Sequence, residues 1–200
     1  MRLILGKAGQ RGVSIIEVMI AVTILVILLM VGLPSFSIWM QNTKIRTVAE
    51  SILAGLQLAR NEAVRRNAVV RFQFVNNFTN ACALSNNSGN WIVSQDDPAN
   101  NCNAAPSETV APRIIQFKAA IEGSPDVTIS ATNSTGAAST FVAFNGLGRV
   151  TATTKIARID VDSSVLAATD SRDLRILVTP GGQVRLCDPN VASSSDPRYC

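Results

Sequence analysis

The chain has 200 residues, 47% of them hydrophobic and 16% charged, with no histidine and a formal net charge of +4 at pH 7. Arg2, Lys7 and Arg11 account for most of that excess; taking them from the 18 lysines and arginines leaves 15 against 14 acids, a balance with no bulk field to steer nucleic acid. Without histidine the commonest general base and metal ligand are missing, which weighs against an enzyme.

The first element is the run Val13 to Leu33, in which Glu17 is the only charged residue. Its 21 residues make about 31 Å of helix, enough to cross the hydrocarbon of a bilayer. Three positive charges and no acids precede it, an asymmetry that keeps that end cytoplasmic. A cleaved secretory signal fits less well, because the run exceeds a signal core and no A-x-A site follows. A plain signal anchor explains span and orientation, with Glu17 snorkelling. It explains neither Gly12 nor an acid placed where, unpaired, it costs roughly 3 kcal/mol. Gly6 to Gly12 is glycine-rich but lacks the G-K-[ST] order of a phosphate loop.

Pro34 follows, and a kink is expected there because proline removes a backbone donor and clashes with the preceding turn. Ile45, Val48, Ile52, Leu56, Ala59 and Ala63 then recur at three and four residues, which predicts an amphipathic helix to about Asn67. That helix bears Lys44, Arg46, Arg60, Arg65 and Arg66 against Glu50 and Glu62, a bias suited to subunit contacts or to a solvated face. Gly55 weakens it by about 1 kcal/mol relative to Ala and marks a close packing point.

From Ala68 the pattern turns to short β-rich pieces. Strands are predicted at Val69 to Val75, Trp91 to Val93, Ile114 to Lys118, Val127 to Ser130, Thr140 to Phe144, Ile156 to Val161, Leu174 to Val178 and Val184 to Cys187. Arg71 to Phe74 and Arg158 to Val161 alternate as strands with one wet face do. Asn76 to Asn90 and Ser94 to Ser107 read as long loops. The expected fold class is α+β, a long N-terminal helix packed on an antiparallel sheet or sandwich built from residues 68–200. The acidic pairs Asp96 with Asp97, Asp160 with Asp162, and Asp170 with Asp173 lie in turns or on wet faces and read as solvated or capping carboxylates.

Gly12, Val13, Ser14, Ile15, Ile16 and Glu17 resemble the class III signal of type IV pilins and pseudopilins: G, an apolar residue, then [ST]-[LI]-[IL]-E. Val13 stands where the family usually has Phe. The resemblance implies that a prepilin peptidase removes leader 1–12 by cutting between Gly12 and Val13, that the Val13 amine is methylated, and that helix 13–67 crosses the inner membrane at 13–33. It also implies that Glu17 pairs with the amine of a neighbouring subunit during filament assembly, and that Pro34 lies where pilin helices bend.

Within that class, Phe144, Asn145, Gly146, Leu147, Gly148 and Arg149 resemble the F-x-x-x-G-R turn of the GspH/FimT (FimU-like) minor pilins and pseudopilins. The stretch Gly181 to Pro189 and the tail Asp196 to Cys200 resemble their last strand and ending, whereas residues 76–110 match nothing specific. In a domain outside the inner membrane the four cysteines should be oxidised; sequence neighbours suggest Cys82 with Cys102 and Cys187 with Cys200, the crossed pairings staying open. The absence of C-x-x-C spacing argues against a metal site, and no cofactor is expected.

The implied function is that of a minor pilin in a priming or tip complex of a type IV pilus, with other minor pilins, the major pilin and prepilin peptidase as partners. Its expected location is the bacterial inner membrane, single-pass with a periplasmic domain, and later the pilus or its tip. One alternative is a DNA-binding minor pilin for uptake in transformation, with Arg149, Arg172, Arg175, Arg185 and Arg198 as candidate contacts, of which Arg149, Arg172, Arg175 and Arg198 could converge on one face although Asp170, Asp173, Asp188 and Asp196 lie close in sequence. Gln183 there replaces the first arginine of the family's G-R-x-R motif, removing a phosphate contact. The other alternative is a GspH-like pseudopilin of a type II secretion system. Such pseudopilins usually lack the tail disulfide of pilus-associated relatives, so Cys187 and Cys200 favour a pilus.

Overall fold

The computed structural model describes residues 12–119, 126–151 and 155–200, with the side chains of residues 31–34 left aside. Helix α1 spans Ile15–Arg66. It contributes to two units, one ending at Trp39 and one beginning at Met40. In the first unit α1 is long and apolar enough to cross a membrane. Its described side chains are exposed, Ile15 at 81% and Leu28 at 64% among them, apart from half-buried Ile38. The bend expected at Pro34 falls outside the described residues.

From Met40 onward the same helix has an inside. Ile45, Val48, Ala49, Ile52, Leu56, Ala59 and Ala63 are fully buried, and their three- and four-residue spacing makes one stripe along α1. That stripe shares a core with two antiparallel sheets. The first is ordered β3-β2-β1-β5 and consists of β1 (Val70–Val75), β2 (Asn90–Ser94), β3 (Ile114–Ala119) and β5 (Phe141–Phe144). The second is ordered β4-β6-β7-β8 and consists of β4 (Val127–Thr132), β6 (Arg158–Ser163), β7 (Leu174–Val178) and β8 (Val184–Cys187). Period-two alternation supplies the inner faces: Val70, Phe72, Phe74, Trp91, Val93, Val142 and Phe144 from the first sheet, and Ile129, Ala131, Ile159, Val161 and Ile176 from the second.

Gly55 is a close packing point: an added Cβ would lie 2.8 Å from Phe72 and 3.1 Å from Trp91. The helix ends at Asn67, whose φ of 47° is left-handed. The Ala68 N–H then reaches back to the Ala63 carbonyl at 3.2 Å, a capping bond of the Schellman type.

The strand predicted from Ile156 begins two residues later, at Arg158. The chain changes sheets there. The Ile156 N–H bonds to the Phe141 carbonyl of β5, and the next N–H, of Ala157, bonds to the Thr132 carbonyl of β4. Ile156 is fully buried without belonging to a strand.

The two long loops cover the outer face of the first sheet. Val75, Ile92 and Ile114 form a second small core there with the Cys82–Cys102 disulfide, and Phe78, Leu84 and Ala104 close over it. The wet face that the alternation of Arg71 to Phe74 predicts is therefore not wet: Gln73, on that face, is fully buried beneath the loops and donates to Ser94 Oγ and to the Asp96 carbonyl, each at 3.2 Å. Arg113 pairs with the Asp96 carboxylate and holds it below the usual carboxylate range.

Candidate functional site

The N-terminal end of α1 is built by Ser14. Its carbonyl accepts the N–H groups of Glu17 at 3.1 Å and Val18 at 3.2 Å, which starts the helix one residue later. Glu17 therefore sits in the first turn, where the helix dipole favours an anion. Ser14 and Glu17 also have the S-x-x-E spacing of a capping box, a local role legible in sequence but absent from the motif-based reading. Val13, Glu17, Ala21 and Leu25 line one stripe of the helix, with Val18 and Val22 beside them. The carboxylate is exposed, and among the described residues no cation pairs with it. Chemically this is an anion on an apolar face, suited to a cation from another chain.

At the other end of α1 two glycine turns stack. Asn145 shapes the first: its Oδ1 accepts the N–H groups of Leu147 and Arg149, both at 3.0 Å. Gly148, with φ of 70°, offers its carbonyl to Arg60 Nε at 3.3 Å. Gly182, with φ of 83°, lies so close beneath that a Cβ would fall 1.8 Å from the Gly148 oxygen. The F-x-x-x-G-R turn and the Gly181–Gly182 turn thus form one joint, closed further by the Val150 N–H on the Pro180 carbonyl at 3.2 Å.

The candidate arginines do not form one free cluster. Arg149 is exposed at this joint, level with Arg60. Arg172 belongs to a turn whose backbone N–H donates to Asn42 Oδ1 at 2.8 Å. Asn42 and Arg60 are eighteen residues apart, about 27 Å along α1. Arg175 and Arg158 both pair with Asp160, at 2.6 and 2.9 Å. Arg185 is exposed on β8 and donates to the Cys200 main-chain oxygen at 3.1 Å. Arg198 pairs with Asp196 at 2.8 Å and holds that carboxyl down at about 2. Arg158 is missing from the sequence-based set although Arg158 and Asp160 alternate with buried Ile159 and Val161. Only the β6–β7 register, which sets Asp160 opposite Arg175, turns that alternation into a bridged triad.

The acidic pairs also regroup across the sheet. Asp162 of β6 meets Asp173 beside β7, and the Ser171 hydroxyl lies 3.0 Å from Asp162 and 2.5 Å from Asp173. Burial and the hydrogen bond with Asp162 push the Asp173 carboxyl up. At Asp162 burial acts upward too, but the hydrogen bonds from Asp173, the Ser163 N–H and Ser171 outweigh it and its carboxyl is lowered. Among the described residues no three ligating side chains gather as a metal site would need.

Two family models match the chain: that of the type II transport protein GspH over residues 48–182, and that of the prokaryotic N-terminal methylation motif over residues 7–33. The chain belongs to the GspH family. It is thus a type IV pilin-like protein of the minor pilin and pseudopilin class, a structural class and not a family of known enzymes. Two crystal structures of the type IV minor pilin FimU from Pseudomonas aeruginosa are similar. The one in space group P21 is 13% identical with a TM-score of 0.46, covering 78% of this chain and 99% of that one. For the P65 form the identity is 13% and the TM-score 0.42, covering 74% and 99%. Among curated proteins none matches the chain significantly.

The GspH match runs from the buried half of α1 to Gly182 and so contains both turns of the joint. Beyond it the tail is closed by the Cys187–Cys200 disulfide and by the Asp188 N–H on the Arg198 carbonyl at 2.8 Å. Arg185 and Arg198 therefore lie on a segment outside the GspH match.

Proposed function

We propose that this member of the GspH family is a minor pilin of a type IV pilus. Prepilin peptidase cuts between Gly12 and Val13, the new Val13 amine is methylated, and residues 13–33 hold the subunit in the inner membrane with domain 68–200 on the periplasmic side. It then joins other minor pilins and the major pilin in a complex that primes assembly and ends at or near the tip. The observation that carries this reading is Glu17, an exposed carboxylate in the first turn of an apolar helix with no cation beside it among the described residues. A charge left uncompensated in the bilayer and paired only with a neighbour's amine favours docking in one register.

The closed tail loop supports a pilus over a secretion pseudopilin. The DNA-binding alternative ranks lower: Asp160 engages Arg158 and Arg175, Asp196 engages Arg198, and Arg149 and Arg172 lie at opposite levels of α1. Deletion of the gene, with sheared surface pili, DNA uptake and secreted protein measured in the same cells, tests the order of these readings. Loss of both is expected for a priming subunit. Intact pili with lost uptake would instead favour DNA binding, and intact pili with a secretion defect would favour the pseudopilin.

A further inference from the structure

The apolar surface of α1 does not end with the run at Leu33. Phe36 and Trp39 follow at helical spacing, 54% and 62% exposed, their ring centroids 5.8 Å apart. Serines and Ile38 surround them, and no formal charge appears after Glu17 until Lys44. The pair therefore continues the hydrocarbon-length run without a charge between them and lies short of the first cation.

Its distance from the run is informative. Along a helix Phe36 lies about 4.5 Å and Trp39 about 9 Å beyond Leu33, less when the helix tilts. A bilayer of about 40–45 Å with a hydrocarbon core of about 30 Å has a polar layer of about 5–8 Å on each side. Phe36 falls in that layer directly, and Trp39 is brought to its outer part by helix tilt and by the lean of helical side chains toward the helix N-terminus. An indole there immerses its apolar body among acyl-chain ends and glycerol while its N–H stays with polar groups, and this explains why tryptophan concentrates at membrane boundaries.

We propose that Phe36 and Trp39 seat together in the headgroup layer at the C-terminal end of the span and set the depth of α1 before assembly. The occupant of this face is phospholipid, by the continuity of the pair with the apolar run and by its offset from it at the rise of a helix. This inference rests on the reading of residues 13–33 as a membrane span.

The test uses the full chain reconstituted in phosphatidylethanolamine–phosphatidylglycerol vesicles carrying a spin label either next to the headgroup or near the end of the acyl chain. The chain has two tryptophans, and Trp91 is only 2% exposed, inside the protein core. The exposed-site variant Trp39→Phe supplies the Trp91 background, and its subtraction isolates Trp39. Greater loss of Trp39 emission with the headgroup-adjacent label is expected. Greater loss with the chain-end label, or loss only to aqueous iodide, would overturn the proposal. Flotation of the vesicles separates the two levels: protein that floats with a deep or water-exposed Trp39 defeats this inference alone, whereas protein that fails to float defeats the membrane reading as well.

Discussion

The part of α1 before Met40 and the part after it obey different rules. Before it, nothing is buried among the described side chains and the one acid stands without a cation; after it, seven side chains spaced by three and four are fully buried between two sheets. On the proposed function the first stretch is written for surroundings outside the chain, lipid and other subunits. The second is written for the chain's own interior. Substitutions should therefore change stability on one side and assembly on the other.

The largest effect on stability is expected at Gly182. Alanine there combines a left-handed φ, costing about 1–2 kcal/mol, with a collision against the Gly148 carbonyl that adds about 1–3 kcal/mol. Gly136 provides the control, because its φ is 87° but an added Cβ meets nothing within 4 Å. Denaturant midpoints of the full chain in detergent should fall further for Gly182→Ala than for Gly136→Ala. Equal shifts would mean that the joint between the two turns is not rigid.

Next come the disulfides. Loop entropy alone assigns about 3 kcal/mol to each, with sequence separations of 20 for Cys82–Cys102 and 13 for Cys187–Cys200. Cys82 and Cys102 are also buried in the second core, whereas Cys200 sits in the half-exposed tail. The double serine variant of the first pair should accordingly lose more stability in the same denaturation experiment, and the reverse order would show that the loops over the first sheet are held by something else.

Asp173→Asn should act in the opposite direction and weakly. The folded protein raises the Asp173 carboxyl above its ordinary value, so any stability from its protonated form is present at low pH and is lost as pH rises through the raised value. At neutral pH the substitution removes a repulsion with Asp162 and should stabilise by well under about 1 kcal/mol, because solvent screens this partly exposed pair. The gain should disappear as pH falls below the ordinary aspartate range. A thermal melt series against pH reads it, and destabilisation at neutral pH would mean that Asp173 accepts hydrogen bonds worth more than the repulsion.

The smallest change in stability, within about 0.5 kcal/mol, is expected for Glu17→Ala, which touches no core. Its effect belongs to the other region: the variant should fold and reach the membrane but be lost from sheared filaments. Normal incorporation would break the division between the two stretches of α1.

Much of the fold was legible locally. The three- and four-residue spacing from Ile45 to Ala63 reports burial that the segment shows by itself, and the alternation in Arg71 to Phe74 marks a strand although Gln73 on its polar side is buried, so the helix and all eight strands could be placed within a residue or two. The N-terminal site was legible for the same reason, being contiguous from Gly12 to Glu17. The loops over the first sheet were not, because Cys82, Ile92 and Ile114 meet only when distant segments are brought together and no periodic pattern marks them.

By itself the sequence determined an apolar helix with an acid in its first turn, a glycine–valine junction before it, and strands whose core-facing residues follow from alternation, but not the burial of Gln73 on the outer face of β1. These are properties of neighbours along the chain, set by side-chain transfer energies and backbone geometry. Only the tertiary structure decided that the strands divide into two sheets sharing a core with the helix, that Asp160 joins Arg158 to Arg175, that Asp162 confronts Asp173, and that Arg149 and Arg172 lie at the levels of Arg60 and Asn42, α1 residues about 27 Å apart. The physical reason is that strand pairing is chosen by non-local burial and register, and neither is encoded in any one segment.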